Sequence, residues 1–281
     1  EKMTQRICFL GRGGVGKTIL VSNISAALAK EGYHVLQVGN DMCLNSTELL
    51  RESKEITPVL DEFRLKYDIC VEDYLVHTPS GVYCLELGNI DPGAGCQARG
   101  VSIVDEMMAQ QGLLDKYKID VIIYDIAGDT PCTGYILPIR EKIMDKVVLV
   151  TNDRYPSVST VNCLMSAVLR QKEAHPPVFL LENHTDRLSD RALLDAYAKE
   201  TNITLLGCVA YDELTERAAL MDETVVCEYP ESEAAQALTQ LAKKIVAATQ
   251  ASEPKPFCRT ELLLWQHQWK LKKLEKLKRM K

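Results

Sequence analysis

Short apolar, β-branched runs recur along the chain at 6–10, 33–39, 82–87, 119–125, 146–151, 177–182 and 204–209. Most are separated by stretches with apolar residues at helical spacing, at 17–31, 101–113, 157–172 and 189–200. Strands alternating with helices predict an α/β fold, with a mostly parallel, helix-covered sheet of about seven or eight strands. Val121-Ile122-Ile123 and Val147-Val148-Leu149-Val150 are apolar without alternation, as expected of central strands buried on both faces. A further helix is predicted over 231–249 from the stripe Ala235, Leu238, Leu241, Ile245 and Val246. Glu253-Pro254-Lys255-Pro256 then has the composition of a hinge. Residues 1–250 are therefore expected to form one domain, and 251–281 a linker and a basic amphipathic C-terminal helix.

Composition sharpens this picture in three places. No run approaches the roughly 18 apolar residues of a membrane-spanning helix, and no signal-peptide pattern is present, so a cytoplasmic protein is expected. The ten cysteines do not form closely spaced pairs, which argues against a zinc ribbon or a disulfide scaffold. Cys8, Cys84 and Cys208 fall in apolar strand-like runs and are expected to be small buried hydrophobes. The five histidines show no metal-ligand spacing. Charge is uneven: residues 259–281 carry eight Lys or Arg and two Glu, whereas the rest holds 25 basic against 37 acidic residues. An acidic body argues against nucleic-acid binding.

The candidate chemistry begins at Gly11-Arg12-Gly13-Gly14-Val15-Gly16-Lys17-Thr18. This run follows a predicted strand and opens a predicted helix, the context that a phosphate-binding P-loop requires. Backbone N–H groups of such a loop surround phosphate oxygens, Lys17 reaches the β- and γ-phosphates, and the Thr18 hydroxyl serves Mg²⁺. Arg12 adds a second positive charge. Dimeric P-loop ATPases of the deviant Walker A class have a lysine there that reaches the partner subunit's nucleotide; the other reading of Arg12 is a solvated surface residue.

Asp125-Ile126-Ala127-Gly128-Asp129 closes the predicted strand at 119–125. A carboxylate at a strand end with a glycine three residues on is the pattern that holds Mg²⁺ and senses γ-phosphate. Asp125 is thus a Mg²⁺ ligand candidate, Gly128 a γ-phosphate donor, and Asp129 a water-orienting group. Asp41, after the strand at 33–39, is a second carboxylate near the γ-phosphate, or else a turn residue. Cys96 and Cys132 each lie in a loop of small, glycine-rich sequence. Two thiolates cannot complete a four-thiolate iron–sulfur site, but two copies of the chain can. From the residues alone, buried or incidental thiols remain the alternative.

Taken together, these motifs resemble the nitrogenase iron protein family over roughly residues 5–250. The resemblance rests on the P-loop, on Asn23-Ile24-Ser25-Ala26-Ala27-Leu28, and on Pro92-Gly93-Ala94-Gly95-Cys96-Gln97-Ala98-Arg99-Gly100-Val101. It continues through Tyr124-Asp125-Ile126-Ala127-Gly128-Asp129-Thr130-Pro131-Cys132 and Pro138-Ile139-Arg140-Glu141. Asn183 resembles the family's adenine-contacting strand end, and Asp212 with Glu216-Arg217-Ala218 its base-side loop. The resemblance implies a homodimer in which Cys96 and Cys132 of both subunits hold one [4Fe–4S] cluster. It also implies MgATP as cofactor, a ferredoxin- or flavodoxin-type electron donor, and a nitrogenase-like catalytic component as electron acceptor, docked at Arg99. ATP binding is expected to act through the segment 125–132 that joins the γ-phosphate sensor to a cluster ligand.

Departures from the family pattern concentrate near the nucleotide. The family's usual Cys-Asp-Pro-Lys-Ala-Asp-Ser-Thr switch loop is here Asn40-Asp41-Met42-Cys43-Leu44-Asn45-Ser46-Thr47, and Ile19 and Ala210-Tyr211 replace a threonine and Pro-Arg. These changes point to a nitrogenase-like reductase whose acceptor need not serve dinitrogen. The rival reading is a non-redox partitioning or septum-positioning ATPase; an ATPase that carries clusters would usually have a Cys-x-x-Cys pair, which is absent. The basic tail, with Leu262, Leu263, Trp265, Trp269, Leu271, Leu274 and Leu277, suits an anionic membrane, an acidic partner, or a solvated helix packed on one side.

Overall fold

The computed structural model describes residues 3–52, 54–88, 97–126, 133–171, 175–184, 189 and 191–279. All seven apolar runs become strands: β1 (Gln5–Gly11), β2 (Val35–Asn40), β4 (Tyr83–Glu86), β5 (Val121–Ile126), β6 (Lys146–Thr151), β7 (Val178–Asn183) and β8 (Thr204–Val209). An additional two-residue strand, β3 (Val76–His77), pairs antiparallel with β4 and is too short to carry a periodic signature. The sheet order is β3-β4-β2-β5-β1-β6-β7-β8, and every other pairing is parallel. The predicted mostly parallel sheet is what forms.

Alternate side chains of each central strand feed two separate cores. Ile7 and Phe9 of β1 pack on one face with Val21, Ile24 and Leu28 of the first helix (Lys17–Lys30) and with Leu238 and Ile245 of the helix Glu233–Ala247. Cys8 and Leu10 point the other way, toward Val104 and Met108 of the helix Gln97–Gln110 and Val161 and Met165 of the helix Tyr155–Leu169. Burial on both sides explains why the central runs lack alternation.

The tail behaves differently from a free hinge and helix. Lys255 N–H donates to Thr201 O at 2.7 Å, and Asn162 bonds both the N–H and the carbonyl of Phe257 at 2.9 Å. The tail helix (Arg259–Arg279) then seats Trp265 edge-on against Tyr197, with centroids 5.5 Å apart, and Lys273 pairs with Asp153. Two prolines suggested a hinge, but their neighbours' backbone groups are taken up by the body. Leu263, Leu264, Leu271, Leu274 and Leu277 remain exposed on the far side. Among the described residues, no helix is long and apolar enough to cross a membrane.

Candidate functional site

β1 ends at Gly11 and the chain turns through 12–16 into the first helix. Gly16 is the residue before that helix and sits at φ 74°, a left-handed conformation that side chains rarely adopt. Asn183, at the end of β7, donates to Val15 O at 2.8 Å and ties the loop to the neighbouring strand. Arg12 is exposed.

Lys17 and Thr18 open the helix directly against the end of β5. Asp125, 2 % exposed, accepts hydrogen bonds from Lys17 Nζ, from Thr18 Oγ1 at 2.9 Å and from Ser46 Oγ at 2.6 Å. A buried carboxylate is tolerated only when paired, and this one has a cation and two hydroxyls. The same oxygen set, a carboxylate at the end of β5, the Thr18 hydroxyl beside the phosphate loop and the Ser46 hydroxyl of the switch loop, suits a hard cation such as Mg²⁺.

A row across three strands explains how the switch loop reaches this point. Gly39 of β2 registers with Asp125 on one side and Glu86 on the other. A Cβ at Gly39 would meet Glu86 Oε2 at 2.0 Å and Ser46 Cβ at 2.6 Å, so glycine makes room for the Glu86 carboxylate and the returning loop. Ser46 then bonds Asp125, while Thr47 gives both its N–H (2.8 Å) and its hydroxyl (2.7 Å) to Glu86 Oε1. Gln37 Nε2 holds Ser46 O at 2.7 Å, and Ser25 Oγ donates to Gln37 at 2.6 Å. Asp41 is half-buried where the loop leaves β2, and Cys43 is exposed. Ser46, not Asp41, is the loop residue on Asp125. The sequence signal for it was the surviving Ser46-Thr47 pair; Glu86, Gln37 and Ser25 sit in ordinary strand and helix positions that carry none.

Burial pushes the Glu86 carboxyl up to about 7, opposed by the Thr47 hydrogen bonds and reinforced by the Asp125 charge. The folded value lies above the unfolded one, so this stabilisation is complete below about pH 4.5 and is lost as pH rises through about 7. Wild-type protein without nucleotide is expected to lose about 2 kcal/mol more stability than Glu86→Gln between pH 5 and pH 8. Parallel denaturation curves at the two pH values check this; an equal loss in both proteins would refute it.

On the other side of the phosphate loop, Gly16, Ile19, Asn23, Asn183, Tyr211 and Asp212 line an open cleft. Asp212 also caps the helix Glu213–Ala219, accepting from Thr215 N–H at 2.8 Å. Arg99 is exposed on the first turn of the helix Gln97–Gln110. Cys96, Cys132, Gly128 and Asp129 lie outside the described residues. The strands that lead toward them, β4 and β5, flank β2 and end at the edge of the sheet that carries the phosphate loop.

A parallel sheet with a phosphate loop between β1 and the first helix, and an acid at the end of the neighbouring β5, defines a P-loop NTPase fold. Residues 5–271 match the family model of the 4Fe-4S iron sulfur cluster binding proteins, NifH/frxC family, and the chain belongs to that family. It is 31% identical over 270 residues to nitrogenase iron protein 2 of Paenibacillus durus, covering 95% of this chain and 92% of that protein. It is 32% identical over 256 residues to a nitrogenase iron protein of Methanococcus voltae, covering 90% and 92%. Among solved structures, the cell division ATPase MinD of Pyrococcus furiosus is similar at a TM-score of 0.68 and 22% identity, covering 87% of this chain and 99% of that one. A ParA family ATPase of Chlorobium tepidum TLS gives a TM-score of 0.69 at 16% identity, covering 86% and 99%. At those identities the structural likeness bears on fold alone.

Proposed function

We propose that this chain is an ATP-dependent reductase component, a homodimer that passes single electrons to a nitrogenase-like catalytic partner. Family membership supports the reading, and one observation carries it: Lys17, Thr18 and the switch-loop Ser46 all converge on Asp125. Cys96 and Cys132 of two chains would supply the four thiolates of one [4Fe–4S] cluster, which when bound supplies a one-electron redox couple.

The chain's own residues then account for the nucleotide response. Without nucleotide, Lys17 is held on Asp125, where Mg²⁺ would also bind. With MgATP bound, Lys17 would turn to the β- and γ-phosphates, and Asp125 with Thr18 would hold the metal. Ser46, bonded to the same carboxylate, would then couple the loop 40–47 to that change. Asp125 is also the first residue of the segment 125–132, so the carboxylate that senses the metal leads directly to a cluster ligand. Asp129 orients water for attack on the γ-phosphate, with Gly128 and Arg12 on the phosphate charge. Asn183 and Asp212 border the base, and Arg99 faces the acceptor.

Anaerobic purification, with iron and sulfide measured per dimer and EPR recorded with and without MgATP, tests the reading. About four irons per dimer and a reduced-state signal altered by MgATP are expected. A protein that stays colourless after cluster reconstitution yet hydrolyses ATP would overturn it in favour of a partitioning-type ATPase.

A further inference from the structure

A second constellation lies on the neighbouring strand pair and takes no part in the phosphate site. β7 and β8 are parallel neighbours in which Glu182 registers with Cys208, so the two side chains share one face near the carboxyl end of the sheet. His184 follows two residues after Glu182 and returns to that face. A carboxylate oxygen of Glu182, a ring nitrogen of His184 and the Sγ of Cys208 all lie within 4.8 Å of one another.

Two details make this more than a packing accident. Glu182 is 0% exposed, and while His184 Nε2 bonds its Oε1, its Oε2 has no hydrogen-bond partner among the described residues. A buried carboxylate with an oxygen left to the neighbouring Cys208 thiol is the kind of acceptor a cation would satisfy. The Cys208 Sγ to His184 Nε2 separation is 3.5 Å. A tetrahedral zinc ion with bonds of about 2.0–2.3 Å holds its ligand atoms about 3.3–3.8 Å apart.

We propose that Glu182, His184 and Cys208 form a three-ligand site for a divalent transition-metal ion of the zinc class, with a fourth position open. A carboxylate and a thiolate together offset the two positive charges, so the buried site is neutral when filled. On binding, the ion replaces the proton on the thiol; His184 gives up its Nε2–H bond to Glu182, and the neutral ring binds the metal through Nε2 with its one proton shifted to Nδ1. Thiolate and imidazole favour zinc-class ions over Mg²⁺, which separates this site from the oxygen set at Asp125. His184 also lines the cleft beside Asn183, so a bound ion would fix that wall.

The sequence concealed the site because its ligands come from two strands and have no spacing motif. Cys208 in an apolar run is expected to be an inert hydrophobe, and in the structure it is half-buried beside an acid and a histidine.

The test uses the full chain, purified anaerobically, freed of loosely bound metal by a chelator and titrated separately with Zn²⁺ and Co²⁺. Zinc is quantified apart from iron. Wild type is expected to bind about one zinc per chain and, with Co²⁺, to show thiolate-to-cobalt charge-transfer absorption. Cys208→Ser should lose that absorption, and His184→Ala should weaken zinc binding by about tenfold or more. Cys43→Ser, an exposed thiol elsewhere, should change neither. If Cys208→Ser fails to give a normal thermal transition, His184→Ala, at the strand's end, carries the test. Wild-type protein without the cobalt–thiolate absorption, or a folded His184→Ala that binds zinc as tightly as wild type, would overturn the proposal.

Discussion

Lys17→Ala is expected to lower ATP hydrolysis on the order of a hundredfold or more while leaving the iron content of the purified dimer unchanged. The first half follows from position. Lys17 is the only basic side chain of the phosphate loop that is buried, and it lies beside the carboxylate that would meet Mg²⁺. The second half follows from the chain order: Cys96 and Cys132 come after β4 and β5 in the sequence, outside the loop that Lys17 serves. A complication has to be designed out. Among the described residues, removing Lys17 leaves the buried Asp125 charge with the Thr18 and Ser46 hydroxyls, and breaking a buried ion pair typically costs about 3–5 kcal/mol. Some loss of activity in Lys17→Ala could therefore reflect a less stable protein. The double variant Lys17→Ala with Asp125→Asn removes both charges and should recover most of the lost stability without recovering hydrolysis. Thermal unfolding, ATPase rates and iron analysis on the three proteins separate the two effects. Hydrolysis near the wild-type rate in Lys17→Ala would remove the loop from the mechanism.

How much of this was legible beforehand depends on whether a residue's task is local. The P-loop, Asp125 at its strand end and the seven apolar runs are local patterns, and the fold they predicted is the fold observed. The two-residue β3 was not legible because it owes its pairing to β4 rather than to its own sequence. Glu86 was not legible for a related reason: its role comes from lying across Gly39 from Asp125, a relation that only sheet register creates. The same holds for Lys146, which looks like one more surface lysine. It is 1% exposed and donates to the carbonyls of Ile245, Val246 and Ala248 where the helix Glu233–Ala247 ends. Burial lowers its pKa to about 8. The tail was half legible, since its amphipathic spacing announced a helix but not the surface of Tyr197 that receives Trp265.

Cys96→Ala and Cys132→Ala should each reduce iron from about four per dimer to near zero, with MgATP binding retained. Symmetry makes the expected effect large. A cluster shared across a two-fold axis takes the same residues from both subunits, so a single substitution removes two of four ligands at once. A half-populated cluster is therefore not the anticipated result of either change. Retained nucleotide binding is expected because Asp125, Thr18, Ser46 and Lys17 are anchored by β1, β2 and β5, strands packed on both faces. Cys43→Ser provides the contrast: that thiol is exposed on the switch loop, and its loss should leave iron unchanged. Iron analysis with a nucleotide-binding assay on the three variants distinguishes the possibilities. If Cys132→Ala kept its iron, the short covalent path from Asp125 to a cluster ligand would not exist, and the switch loop at Ser46 would have to carry the nucleotide signal alone. If Cys96→Ala and Cys132→Ala lost nucleotide binding as well as iron, the two sites would be one folding unit, and the mechanical link between them would be rigid rather than gated.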